Sequence, residues 1–187
     1  MRTFVMLSAS PTKPEIIAIV ISKLNLAPGN VFCDVGCGTG AVSIAASAFA
    51  DRIYAIDIRD EAIAEAERNF DAAGIRERVT LIHGEASLLI GDLPLLDCAF
   101  VGGTRNIEDV LQAIFARVRG RAVVNAARIE TAARIIRCMK LLGVFEEVVH
   151  VQVSRGYELA GETALKPINP VYIVVGDARD GTDQKKE

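Results

Sequence analysis

The sequence has no tryptophan, and its aromatic residues make up only 5% of 187 positions. A core built without large rings is aliphatic, which suits a parallel sheet covered by helices on both faces. Histidine occurs twice, and the four cysteines, Cys33, Cys37, Cys98 and Cys138, form no CxxC pair. The spacing of a structural zinc site is therefore missing, and no protein-held metal is expected. Positive charge is not in excess: the net charge is −3, so no global field draws the chain to nucleic acid or to an acidic membrane. No stretch approaches the ~20 apolar residues of a membrane span. The opening Met-Arg-Thr-Phe-Val-Met-Leu-Ser is too short in its apolar run for a secretory signal. These absences predict a soluble, cytoplasmic protein with no membrane or nucleic-acid partner.

What is present is 51% apolar residues in a chain of one domain's length, enough to bury a sizeable core. The expected organisation is one domain over residues 1–176 with an irregular N-terminal arm (1–14), then a polar, disordered tail over 177–187.

Residues 31–41, Val-Phe-Cys-Asp-Val-Gly-Cys-Gly-Thr-Gly-Ala, organise the rest. Val31–Val35 read as a strand, Gly36, Gly38 and Gly40 as a loop, and Ala41 onward as a helix. Strand, glycine loop and helix form the first unit of a nucleotide-binding α/β fold. Glycine permits both the tight turn and close approach of backbone to ligand. Gly36-x-Gly38-x-x-Ala41 also satisfies a dinucleotide fingerprint, which is the alternative reading. Asp34 argues against it. A carboxylate two residues before the first glycine, reaching the ligand side of the loop, would repel a pyrophosphate yet suit the ammonium and sulfonium charges of S-adenosylmethionine.

Further strands are expected at 53–57, 79–83, 95–101, 121–126, 145–153 and 170–175, with helices from Pro14, over 61–73, 108–118 and 129–142. Thr12, Asp60 and Asn106 are the expected caps of the helices they precede. The first helix carries isoleucines on more than one face, as a core helix or a subunit contact would. Asp57 ends the second strand, 21 residues after Gly36, where a doubly wound sheet faces its ligand and a carboxylate can accept from both ribose hydroxyls. His83 reads as a structural residue. Glu85 and Ala86 follow the third strand, and Gly102-Gly103 leave an open floor after the fourth. Residues 154–170 read as a long excursion before the last strand.

The stretch Asp34-Val35-Gly36-Cys37-Gly38-Thr39-Gly40 resembles motif I of the class I S-adenosylmethionine-dependent methyltransferases. That resemblance implies a seven-stranded doubly wound sheet, mostly parallel with a C-terminal antiparallel strand. It also implies S-adenosylmethionine as cofactor, with adenine beside Glu85 and Ala86. Three further stretches narrow it: Pro11-Thr12-Lys13-Pro14-Glu15, the run from Asp97 to Thr104, and Ser154–Leu159 through Asn169-Pro170-Val171. Together these are similar to the decarboxylating C15-methyltransferases that act on cobalt-precorrin-6B in corrin biosynthesis. The resemblance implies a cofactor site of Thr12, Gly36, Cys37, Gly38, Thr39, Gly40, Asp57 and Ala86. Asp34 and Glu85, the latter an acid where aspartate is more usual, are expected to join it. The implied substrate is a polycarboxylate tetrapyrrole, methylated at C15 with loss of the C12 acetate carboxyl to give cobalt-precorrin-8. The implied assembly is a homotetramer. Gly102, Gly103, Arg105, Arg155 and Lys166 are the candidate substrate-loop residues, because a ligand ringed with carboxylates needs local positive charge. No nucleophilic side chain is expected. An RNA or protein methyltransferase, or a non-catalytic cofactor-binding protein of the same fold, are the alternatives.

Overall fold

A computed structural model describes residues 12–179. The expected arm before Thr12 and the tail beyond Arg179 lie outside the described residues. Helices are α1 (Pro14–Leu24), α2 (Ala41–Ala46), α3 (Asp60–Ala72), α4 (Ala86–Leu89), α5 (Ile107–Phe115) and α6 (Ile129–Leu141). Strands are β1 (Asn30–Val35), β2 (Ala50–Asp57), β3 (Val79–His83), β4 (Cys98–Val101), β5 (Arg121–Ala126), β6 (Phe145–Val151), β7 (Ser154–Leu159), β8 (Glu162–Pro167) and β9 (Val171–Asp177).

Seven strands form one sheet in the order β3-β2-β1-β4-β5-β9-β6. The first five pair in parallel, and β9 runs antiparallel to both neighbours, β5 and β6. This is the mostly parallel sheet with one reversed strand that the sequence implied. Period-two alternation splits the core. Phe32, Phe100, Val123 and Ile173 face α1, α2 and α3, whose Val20, Val42 and Phe70 meet them. Cys33, Val35, Val101 and Val124 face the opposite layer, where Leu111 and Ile114 of α5 and Ile135 of α6 pack. No helix among the described residues is long and apolar enough to cross a membrane.

Several boundaries differ from expectation, each for a physical reason. Helix α1 is preceded by Lys13, not Thr12, and has no side-chain cap; Thr12 lines a cavity instead. Arg59 rather than Asp60 precedes α3, because the Asp57 carboxylate accepts the Arg59 amide at 3.0 Å and fixes the turn there. Asn106 does stand at the N-terminus of α5, but with φ 47° and no side-chain cap. Strand β4 starts at Cys98; at Asp97 the backbone amide donates to the Val31 carbonyl at 2.9 Å, but the Val31 amide is taken by the Asp97 carboxylate, at 2.7 Å, in place of a backbone carbonyl. The excursion after β6 is a separate two-stranded hairpin, β7–β8. The last strand extends through the buried Asp177, which Arg121 and Arg179 clasp, so the sheet includes the first residue of the expected tail. Helix α1 is a core helix of its own chain: Ile16, Val20 and Leu24 are buried, and Ile17, Ile19 and Ile21 pack beside them.

Candidate active site

The C-terminal ends of β1, β2, β4 and β5 open onto a crevice, the ligand position of an open α/β sheet. Its floor is bare backbone. The Gly36 and Cys37 amides both donate to the Ile56 carbonyl, at 2.8 and 3.0 Å, and the Gly102 amide donates to Val35 at 2.8 Å. A Cβ on Gly36 would stand 2.7 Å from the Gly103 nitrogen, and φ there is +71°. Glycine is required at that crossing on both counts. The loop is held from behind: Asn69 donates to the Thr39 carbonyl at 2.9 Å, and a Cβ on Gly40 would fall 2.3 Å from the Phe70 ring.

Three chambers share this floor. One of about 450 Å³ lies between Asp57, Glu85, Ala86 and the segment from Gly102 to Arg105. A second, about 470 Å³, is bounded by Thr12, Gly36, Cys37, Gly38 and Thr39, with Glu61 and Glu65 opposite. The third, about 370 Å³, lies between the start of α1 and the sheet, with walls of Ile16, Val151, Val153, Ile168 and Val171. Gly102 borders all three.

Asp57 is 4% exposed and fully engaged. Its Oδ2 accepts from the Gly38 amide at 2.9 Å and from Arg59 Nη2 at 3.0 Å, while Oδ1 accepts from the Arg59 amide and Nε. Burial pushes this carboxyl up, but the bonds from Arg59 and Gly38 outweigh it and hold it below the ordinary range. Glu85 receives a 3.4 Å bond from Ser87 and a 3.8 Å ion pair from the exposed Arg105. Burial raises the Cys37 thiol, so it lines the chamber as a small apolar group and not as a nucleophile. His83 contacts the Ile58 carbonyl at 3.1 Å, in line with a structural part.

Other sequence candidates stand elsewhere. Asp34 does not reach the ligand side of the loop. It is completely buried, its Oδ2 accepting the Ser43 amide at 3.0 Å and the Ser43 hydroxyl at 2.6 Å, so it ties the loop to α2. Its Oδ1 has no partner. Burial raises the carboxyl to about 6 against the lowering pull of Ser43, with a further push from Asp57. The carboxylates that do face the second chamber are Glu61 and Glu65, which sequence reasoning missed. Arg155 and Lys166 face each other across the hairpin, at paired positions of β7 and β8. Neither lines the three chambers; Arg155 instead holds Glu15 through two 2.8 Å contacts. The third chamber adds Lys13, Asn125 and Asn169. The strand-end rule that singled out Asp57 would also have found Asn125, near the C-terminal end of β5.

A reversed strand in an otherwise parallel sheet, with a glycine loop across its ligand edge, defines the class I S-adenosylmethionine-dependent methyltransferase fold. An S-adenosylmethionine-dependent O-methyltransferase of Thermotoga maritima shares it with a TM-score of 0.74 over 92% of this chain and 68% of that one, at 17% identity. The chain belongs to the precorrin methyltransferase domain family, which it matches over residues 8–176. It is 53% identical to a probable cobalt-precorrin-6B C(15)-methyltransferase (decarboxylating) of Methanosarcina acetivorans, over 94% of this chain and 98% of that protein. A crystal structure described as precorrin 8W decarboxylase of Methanobacterium thermoautotrophicum superposes with a TM-score of 0.86 at 30% identity. That match covers 89% of this chain and 91% of the other.

Proposed function

We propose that this protein is the S-adenosylmethionine-dependent enzyme that methylates C15 of cobalt-precorrin-6B and removes the C12 acetate carboxyl, giving cobalt-precorrin-8. The observation that carries the reading is the junction of three chambers at Gly102, in a chain 53% identical to a relative named for that reaction. The same reading makes it a cytoplasmic enzyme of cobalamin biosynthesis.

The chambers fit the cofactor by size and by donor set. Asp57 offers a buried carboxylate for the two ribose hydroxyls once the Arg59 side chain yields it. Glu85 and Ala86 border the adenine end. Thr12 and the loop Gly36–Gly40 border the methionine end, where Glu61 and Glu65 place negative charge suited to an ammonium group. When bound, S-adenosylmethionine supplies an electrophilic methyl group. The protein's part is to hold both reactants in line and to keep water out, and positioning of this kind supplies much of a displacement rate. The bare backbone at Gly36, Gly102 and Gly103 lets the two ligands meet without a side chain between them.

The apolar walls of the third chamber suit a conjugated macrocycle, and Lys13 suits its carboxylates. Arg105, at the edge of the first chamber, and Arg155, on the hairpin outside the chambers, are the arginines we assign to further carboxylates. We also propose a homo-oligomer, a tetramer. Hairpin β7–β8 exposes Tyr157, Leu159 and Leu165, and a lone two-stranded hairpin is marginal in water; a second copy of the chain is the natural cover. Light scattering that returned the monomer mass at micromolar concentration would contradict this. For the reaction, the protein is incubated without oxygen with S-adenosylmethionine and cobalt-precorrin-6B, and the corrinoid is weighed. The expected product is one methyl heavier and one carbon dioxide lighter. Tight binding of structured RNA with the corrinoid left untouched would overturn the assignment.

A further inference from the structure

Asn125 follows the apolar run Ala122-Val123-Val124 of β5. It lies on the face of β5 shared with Val123, one residue beyond the Val101–Val124 pair that joins β4 to β5, and so beside Gly102. On the sheet side it lines the third chamber with Val151, Val153 and Val171, and Ile168 lies beside them; Thr12, Lys13, Glu15 and Asn169 complete the polar part of the lining. The Asn125 Oδ1 is buried and makes no hydrogen bond. An unmade bond at a buried polar atom is costly, and valine would fill the position without that cost. With the oxygen sealed away, the polar group left to the chamber is the amide NH₂.

We propose that Asn125 binds the acetate carboxyl that the acceptor loses, and so determines decarboxylation. The acceptor is taken to be the polycarboxylate tetrapyrrole of the proposed function. In the step itself the bond to the carboxyl carbon breaks, carbon dioxide leaves, and the electron pair passes into the conjugated macrocycle. The methylene carbon then takes a proton from water. This cleavage is favoured when the carboxylate is stripped of water and its C–C bond is held in line with the ring π system. A lysine or arginine at position 125 would stabilise this carboxylate and oppose its loss; Lys13, in the same chamber, is assigned to the carboxylates that the acceptor keeps. An uncharged amide among valines and isoleucines orients the group by one hydrogen bond while leaving it poorly solvated. Position beside Gly102 puts that contact next to the point where the methyl group is delivered.

The test compares wild type with Asn125→Ala and Asn125→Ser, measuring methyl transfer and carbon dioxide release separately with the same corrinoid. Asn125 borders neither of the two cofactor chambers, so S-adenosylmethionine affinity is expected to stay within about twofold. Asn125→Ala is expected to slow carbon dioxide release roughly 10- to 100-fold and methyl transfer by much less. Asn125→Ser, which keeps a donor, recovers part of the loss. If both chemistries fall by the same factor in Asn125→Ala, or if Asn125→Ser is no faster than Asn125→Ala, the proposal is overturned. A wild-type protein inert towards the corrinoid would sink the functional reading and this assignment with it. An active wild type with unaltered Asn125 variants would sink this assignment alone.

Discussion

Asp57 and Asn125 occupy comparable places, near the C-terminal ends of β2 and β5, but their surroundings differ. The Asp57 carboxylate accepts four hydrogen bonds, from Gly38 and Arg59, whereas the Asn125 oxygen accepts none. The wider regions follow suit. On the cofactor side, Asn69, Ile56 and Phe70 hold the glycine loop at separate points. On the acceptor side, valines and isoleucines share the chamber lining with Thr12, Lys13, Glu15, Asn125 and Asn169. The glycine loop is shaped before its ligand arrives, with only the Arg59 side chain left to move off Asp57; the acceptor half keeps an amide whose oxygen is unbonded. The difference separates variants that damage the fold and the cofactor site from those that touch only the acceptor.

The largest effect should come from the loop's rear contact. Gly40→Ala forces a Cβ into the Phe70 ring at a φ of +79°. Overpacking together with left-handed strain should cost about 3 kcal/mol or more, read as a lower urea midpoint. An unchanged midpoint would mean that the loop is not seated on α3. Asp57→Ala removes the carboxylate while leaving the acceptor chamber alone. Cofactor affinity should fall by roughly 1.5–3 kcal/mol, the range for charged hydrogen bonds, with corrinoid affinity nearly constant. Equal losses on both sides, by calorimetry, would erase the distinction drawn between them.

Asp34 probes the buried anchor of the same loop through pH. Its folded-state pKa of about 6 exceeds the ordinary 3.8, so the folded chain holds this proton more tightly than the unfolded one does. Stability from this group is therefore greatest below pH ~4 and declines as pH rises towards ~6, by on the order of 2 kcal/mol. Asn at this position has no charge to bury. The difference in stability between wild type and Asp34→Asn should shift in favour of the variant across that window. A difference independent of pH would show that Asp34 stays ionised throughout.

The smallest effect belongs to the exposed Arg155–Glu15 pair. Arg155→Ala should leave the unfolding midpoint and cofactor affinity unchanged. Its corrinoid KM should rise roughly threefold at low salt, and the difference should fade as salt is added. A wild-type KM at every salt concentration would make Arg155 a solvated hairpin residue.

The same contrast decided what the sequence disclosed. Gly36, Gly38 and Gly40 encode backbone conformation directly, and Asp57 sits at a fixed offset from them, so the loop and strand ends of the cofactor side were legible. Asp34 was misplaced because alternation along β1 turns its side chain onto the face of Phe32 and into the core, a consequence visible only once the sheet's two faces are known. The acceptor chamber is assembled by α1, β5, β6, β9 and the segment before it, which are distant in sequence. Nothing local to Asn125 or Val153 marks them as neighbours. The hairpin was hidden for another reason: its six-residue strands carry polar and apolar residues on two exposed faces, which leaves no period-two signal.

The central claim is that both halves of the crevice act on ligands that meet at Gly102. Single-turnover methyl transfer in Gly102→Ala, with cofactor and cobalt-precorrin-6B both saturating, tests it most directly. The added Cβ would stand 3.1 Å from the Phe100 ring and 3.2 Å from the Gly36 carbonyl oxygen, at the shared border of the chambers. The account predicts that each ligand still binds alone while transfer slows by about 100-fold, the cost of displacing reacting groups by ~1 Å. Transfer at the wild-type rate would contradict it, and would place the meeting point elsewhere.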